Sequence, residues 1–169
     1  MLKILNELRP FFADNYRRIH VREYARLQHI SPPTASKVLS SLAREGALKK
    51  EEDKRHILYY ANGGSALFVD LSRIYWRQVL EASGLINALE RELLRPVVIL
   101  FGSLSKAEAK EDSDIDLAVF TASKKEIAVH LPEKYLKRKA HILIFQKMDD
   151  APKELLHNIL NGHIVHGAW

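Results

Sequence analysis

The chain carries one apolar run that can only be buried, Pro96-Val-Val-Ile-Leu-Phe101, and it stops abruptly at Gly102-Ser103. A short, wholly apolar run bounded by a turn signal reads as a strand covered on both faces. A second such strand follows Ser113-Asp114-Ile115-Asp116-Leu117, with Ala118-Val119-Phe120 behind it. Side chains alternate along a strand, so Asp114 and Asp116 project from one face with Cα atoms roughly 6.5–7 Å apart. Two carboxylates so placed converge on hard divalent cations, and paired cations clamp the attacking and leaving oxygens of a phosphoryl displacement. Glycine lets a phosphate approach the backbone closely, while a serine hydroxyl and a following helix N-terminus offer hydrogen-bond donors to it. The stretch from Gly102 to Asp116 therefore predicts nucleotide chemistry.

The pattern resembles the nucleotidyltransferase superfamily that includes DNA polymerase beta and kanamycin nucleotidyltransferase, and above all its minimal prokaryotic members. Their signature is Gly-Ser, a short variable stretch, then Ser-Asp-Ile-Asp-Leu, which stands here as Gly102-Ser103 and Ser113-Asp114-Ile115-Asp116-Leu117. The resemblance implies that Gly102 and Ser103 hold the triphosphate of a nucleotide, ATP by expectation. It implies too that Asp114 and Asp116 bind Mg²⁺ or Mn²⁺ as the catalytic pair. Lys106 occupies a position where the family often has arginine, and is read either as phosphate charge compensation or as a solvated helix residue.

Two departures from the family pattern stand out. A second glycine usually follows four residues after the serine, where this chain has Ala107, a change that a helical backbone accommodates. Active members also carry a third acidic residue on a neighbouring strand. The matching segment, Lys139-Ala-His-Ile-Leu-Ile-Phe-Gln146, has no carboxylate, and His141 stands near the expected place. Alternation puts His141, Leu143 and Phe145 on one face of that strand. Imidazole is a poor ligand for Mg²⁺ and suits Mn²⁺ or Zn²⁺ better. The missing acid bears on turnover and leaves nucleotide binding in place.

The first third of the chain is a different kind of sequence. Residues 1–62 hold 12 Lys+Arg against 7 Asp+Glu, and the remainder is balanced at 14 against 14, so the whole formal charge of +5 sits in that segment. This asymmetry predicts a separate unit with an anionic partner. Val21–Gln28 has apolar residues at helical spacing, and His29-Ile30-Ser31 interrupts it. Ser31 is a good N-cap, Pro32 suits the first helical position, and Gly46 ends the second helix. Two helices joined by so short a turn predict a helix-turn-helix. Ala47–Glu51 and Arg55–Ala61 predict a β-hairpin around the charged turn Glu52-Asp53-Lys54. The arrangement resembles the winged helix-turn-helix of bacterial and archaeal regulators. In that reading the polar face of helix 33–45 enters the major groove of double-stranded DNA. Thr34, Lys37, Ser40 and Arg44 lie on that face, and Lys49, Lys50, Lys54 and Arg55 meet phosphates from the wing. The alternative is a protein-docking module with solvated charges.

The expected fold class is α+β: a winged helix-turn-helix over residues 1–62, a helical connector over 63–95, and a mixed sheet flanked by helices over 96–169. Asn62-Gly63-Gly64 marks the first boundary. The connector stripe Leu67, Phe68, Leu71, Ile74, Tyr75 and Leu80 is either a homodimer seam or ordinary internal packing. The tail is a helix capped at Gly162 and a short apolar end, and His157, His163 and His166 read as scattered surface histidines. Without cysteine the chain can form neither disulfides nor thiolate metal sites. A polar start and the absence of any long apolar run lead to the expectation of a soluble, cytoplasmic protein with no membrane partner. Two functions fit. One is metal-dependent transfer of a nucleoside monophosphate to an acceptor hydroxyl, which is a partner protein's side chain in some relatives. The other is a DNA-binding transcriptional regulator whose transferase-like domain binds nucleotide or mediates assembly.

Overall fold

The computed structural model describes residues 2–53, 56–123, 136 and 138–169. The chain divides into two compact units, one comprising Met1–Tyr75 with Ala107–Glu111, the other Trp76–Lys106 with Asp112–Trp169.

In the first unit, helix α1 (Lys3–Ala13) precedes a two-residue strand β1 (Ile19–His20), helices α2 (Val21–Gln28) and α3 (Pro32–Arg44), and the hairpin β2 (Leu48–Asp53) and β3 (His56–Ala61). Ser31 caps α3 as expected, its hydroxyl accepting from the Thr34 N–H at 3.3 Å with proline at the first turn. His29 ends α2 in the left-handed conformation at φ 54°, which turns the chain sharply into α3. Gly46, at φ 81°, does the same after α3, where glycine carries no Cβ penalty. The sheet runs β1-β3-β2, antiparallel throughout. The hairpin is longer than its composition suggested: Glu52 and Asp53, expected in the turn, pair with Ile57 and His56. Leu5, Leu8, Phe11, Phe12, Ile19, Tyr24 and Leu39 are fully buried. Each such side chain contributes about 1.5–3 kcal/mol of transfer free energy. Helix α4 (Ala66–Ala82) follows, and Phe12 packs its ring against Phe68 and Tyr75 at 5.2 and 5.0 Å. Phe68, Tyr75 and Leu80 of the connector stripe are buried, while Leu67 and Ile74 stay exposed. Asn15, also buried, clamps Ala109: its backbone N–H donates to the Ala109 carbonyl at 2.8 Å and its side-chain Oδ1 accepts from the Ala109 N–H at 2.6 Å.

The second unit holds α5 (Leu85–Glu92), β4 (Val97–Phe101), α6 (Gly102–Lys106), β5 (Ile115–Phe120) and β6 (Ala140–Phe145). After a 3₁₀ turn come α7 (Lys153–Leu160) and β7 (His163–His166). The sheet is mixed, in the order β6-β5-β4-β7, with β5 and β6 parallel and the other pairs antiparallel. The tail predicted only as a short apolar end is thus strand β7, paired along β4. Gly162 permits that return, because a Cβ there would lie 2.6 Å from the Leu100 carbonyl oxygen. One face of the sheet is an apolar cluster of Val97, Ile99, Phe101, Ala118 and Phe120, covered by Ala151 and Ile159, with Phe145 and Leu155 at its margin. Among the described residues, no helix is long and apolar enough to cross a membrane.

Candidate metal and nucleotide site

The register of the mixed sheet places the candidate residues. Phe101 is opposite Asp116 on the β4–β5 pair, and Asp116 is opposite His141 on the β5–β6 pair. Register partners share a face, so Asp116 and His141 continue the row that holds Ala118, Phe120, Leu143 and Phe145. The row is apolar along the core and turns polar at the end where β4 gives way to α6. Hydrophobic burial thus delivers two titratable side chains to a sheet edge beside Gly102.

Gly102 is required there for two reasons. Its φ is 71°, in the region that side chains disfavour, and a Cβ would stand 2.5 Å from Asp116 Oδ2. The bare α-carbon therefore makes room for the aspartate itself, a constraint separate from any approach of phosphate. Ser103 follows at the start of α6, and its hydroxyl makes no hydrogen bond among the described residues. Lys106 ends α6, exposed and without an ion pair among the described residues.

The condition under which Ala107 is a neutral change, a helical backbone, is not met beyond Lys106. Helix α6 ends there, and Ala107 adopts φ 57°. This is the left-handed region where glycine is at ease, and alanine is strained by roughly 1–2 kcal/mol. The absent second glycine therefore leaves a conformational penalty rather than a neutral change.

Asp114 and Asp116 keep 39% and 32% of their side-chain surface exposed, and His141 keeps 61%. The imidazole stands between them, with Nε2 3.8 Å from Asp114 Oδ2 and Nδ1 3.6 Å from Asp116 Oδ1. Burial pushes the Asp116 carboxyl above its ordinary range; His141 opposes that rise and the Asp114 charge adds to it. The start of β5 is held by Arg138, whose guanidinium donates to the Ser113 carbonyl and lies over the Trp76 ring at 5.2 Å. The backbone bond from Ile115 N–H to the Lys139 carbonyl, at 2.8 Å, fixes the same corner. Nothing in the sequence pattern marks Arg138 out, because its partner is a main-chain carbonyl far away along the chain.

The donor chemistry fits a divalent cation in part. Two carboxylates supply hard oxygens, and the remaining position carries nitrogen where a third oxygen is expected. Among the described residues, no group of three or more His, Cys, Asp or Glu side chains is placed so that it could hold a metal ion. The carboxyl-terminal histidines do not form one either, and His166 instead faces Glu90 at 3.2 Å.

The residues read as nucleic-acid contacts all belong to the first unit. Lys37, Ser40, Arg44, Lys49 and Lys50 are exposed. Ser40, Arg44, Lys49 and Lys50 line one groove of about 480 Å³ together with Tyr59 and Tyr60. Thr34 is exposed as well, but its hydroxyl is engaged with Ser31 Oγ at 2.8 Å in the cap of α3. Lys54 and Arg55 lie outside the described residues.

No curated protein matches the chain. Residues 85–167 match the family model described as polymerase beta, nucleotidyltransferase, a span that takes in β4, Gly102-Ser103, Asp114, Asp116 and β6. This match supports the nucleotidyltransferase superfamily for the carboxyl-terminal half of the chain, and with it nucleoside monophosphate transfer as its general chemistry.

Proposed function

We propose that the chain is a metal-dependent nucleotidyltransferase that moves a nucleoside monophosphate from a triphosphate, with ATP the first candidate, to an acceptor hydroxyl: the acceptor oxygen bonds to the α-phosphorus, the bond to the β-phosphate breaks, and pyrophosphate and the hydroxyl proton leave. The observation that carries this reading is the meeting of Gly102 and Asp116 across β4 and β5, inside the segment that matches the family model. In this reading Asp114 and Asp116 hold Mg²⁺ or Mn²⁺. The cation, when bound, polarises the α-phosphoryl group and lowers the pKa of the acceptor hydroxyl. The Ser103 hydroxyl, without a hydrogen bond among the described residues, and the backbone at Gly102 bind phosphate oxygens, and Lys106 offsets their charge. Ile115 and Leu117, both fully buried, fix the carboxylates against rotation of the strand. The acceptor is an external hydroxyl, on a partner protein or a nucleic acid.

The first unit supports a winged helix-turn-helix that docks on double-stranded DNA. Two helices joined through a capped turn precede a hairpin, and Lys37, Lys49 and Lys50 are exposed without ion pairs among the described residues. This also supports the second reading, a DNA-binding regulator whose transferase domain only binds nucleotide.

Labelled ATP, GTP, CTP and UTP, incubated with Mg²⁺ or Mn²⁺ and cell extract, decide between them. The transferase reading expects label on an acceptor with wild-type protein and none with Asp114→Asn/Asp116→Asn. Label that survives the double substitution removes the carboxylates from the chemistry. No transfer with any nucleotide, alongside a salt-sensitive DNA shift that Lys49→Ala/Lys50→Ala weakens, favours the regulator.

A further inference from the structure

We infer that Asn15 is a positioning residue for the nucleotide site: by holding Ala109 it fixes the carboxyl-terminal end of α6, and with it Ser103 and Lys106. The inference rests on the reading of Gly102-Ser103 as the phosphate-binding turn and adds the residue that sets its geometry from outside the signature. Three observations carry it. Residues 107–111 follow Lys106 and precede Asp112, both of the second unit, yet they are built into the first. There Ala107 and Ala109 are buried while Glu108 and Lys110 are exposed, the alternation of an extended strip with its small side chains turned inward. Asn15 holds that strip as a strand partner would, through the Ala109 carbonyl at 2.8 Å and the Ala109 N–H at 2.6 Å. Its Nδ2 also donates to the Phe11 carbonyl at 2.8 Å, which ties the clamp to the end of α1.

Helix α6 needs such an anchor. It is five residues long, Gly102–Lys106, and so short a helix does not hold itself. Buried Leu104 seats its middle, and Ala107 at φ 57° ends it. Alanine keeps that conformation only where its surroundings impose it. The Ala109 pairing two residues on supplies the constraint. Removing the Asn15 carboxamide leaves the buried Ala109 N–H without its acceptor and frees Ala107 to relax, and the end of α6 moves with it. Only the fraction of molecules with the strip still clamped then presents Ser103 and Lys106 correctly, and the apparent nucleotide affinity falls by that fraction.

Labelled ATP binding to the full chain, with Mg²⁺ or Mn²⁺, and hydrogen exchange read by mass spectrometry test this on wild type, Asn15→Ala and Asn15→Asp. Each protein is first shown to be folded by circular dichroism and is measured well below its melting temperature. Asn15→Asp keeps an oxygen for the Ala109 N–H and gives up the donor to Phe11, so it separates the clamp from the stability of α1. Asn15→Ala should bind ATP about fivefold or more weakly than wild type. Its exchange should speed up in peptides covering residues 103–113 and stay unchanged in those covering α3. Asn15→Asp should melt lower yet bind ATP within about twofold of wild type. Wild-type ATP affinity in Asn15→Ala, an equal loss in both variants, or faster exchange throughout the first unit overturns the inference, since each outcome leaves Asn15 a structural residue only. If wild type itself binds no ATP, the reading of Gly102-Ser103 falls and takes the inference with it. If wild type binds ATP and Asn15→Ala binds it equally, the inference falls alone.

Discussion

Gly102→Ala probes the contact on which the site is built. The substitution acts twice. It forces alanine to φ 71°, and it sets a methyl group 2.5 Å from Asp116 Oδ2. The left-handed conformation costs alanine about 1–2 kcal/mol. Glycine's greater freedom in the unfolded chain returns about 0.4–1 kcal/mol of that. The methyl contact is relieved by swinging the carboxylate off its preferred rotamer, at about 0.5–1.5 kcal/mol. The net loss is about 0.5–3 kcal/mol, which lowers the melting temperature of a chain this size by roughly 1–12 °C. Because the displaced group is the proposed ligand, Mn²⁺ affinity should fall as well. A double-mutant cycle with Asp116→Ala isolates the contact: the side chain that collides is gone, so the combined loss should be smaller than the sum by about 0.5 kcal/mol or more. Thermal unfolding with and without Mn²⁺ reads all of these. Wild-type stability and wild-type Mn²⁺ affinity in Gly102→Ala would show that neither the backbone nor the carboxylate needs that glycine.

Ala107→Gly should stabilise the fold, by about 0.5–1 kcal/mol once the entropy of the added glycine is subtracted, because Ala107 already sits at φ 57°; denaturant unfolding measures it. Asp116→Asn should raise stability at neutral pH while abolishing metal binding. Burial raises the Asp116 carboxyl above its ordinary 3.8 in the folded chain, so its favourable contribution is complete below 3.8 and is lost as pH rises through the folded value. The gain over wild type should thus disappear in acid, and because the group is partly exposed it should stay below about 1 kcal/mol. Gly162→Ala should be far more damaging than either, since the colliding atoms include the Leu100 and Ile159 carbonyl oxygens rather than the end of a side chain; a loss of cooperative unfolding is the expected outcome.

Much of the site could be read from the sequence because it is local. Apolar runs around Gly102-Ser103 and Asp114-Ile115-Asp116 specify strands, and period-two alternation specifies which side chains share a face. The two α2–α3 helices were legible for the same reason, through Ser31, Pro32 and Gly46. What stayed hidden depends on register and on distant main chain. Gly102 answers to Asp116, and no spacing rule reveals that a carboxylate oxygen will occupy the space of its missing Cβ. Arg138 serves a carbonyl, Asn15 clamps Ala109, and β7 exists because β4 offers an unpaired edge. His141 could be flagged near the third position, yet only the β5–β6 pairing set it opposite Asp116. The left-handed backbone at Ala107 is equally invisible in sequence, because conformation at a single residue follows from how the helix before it ends.

In the proposed function, Gly102-Ser103 and the Asp114–Asp116 pair make one metal and nucleotide site. Equilibrium binding of labelled ATP to the full chain, measured with Mn²⁺, with Mg²⁺ and with chelator, tests it most directly. Binding should require the cation and should be lost in Asp114→Asn/Asp116→Asn while the protein stays folded. Binding that ignores the cation, or that the double variant retains, would contradict the claim.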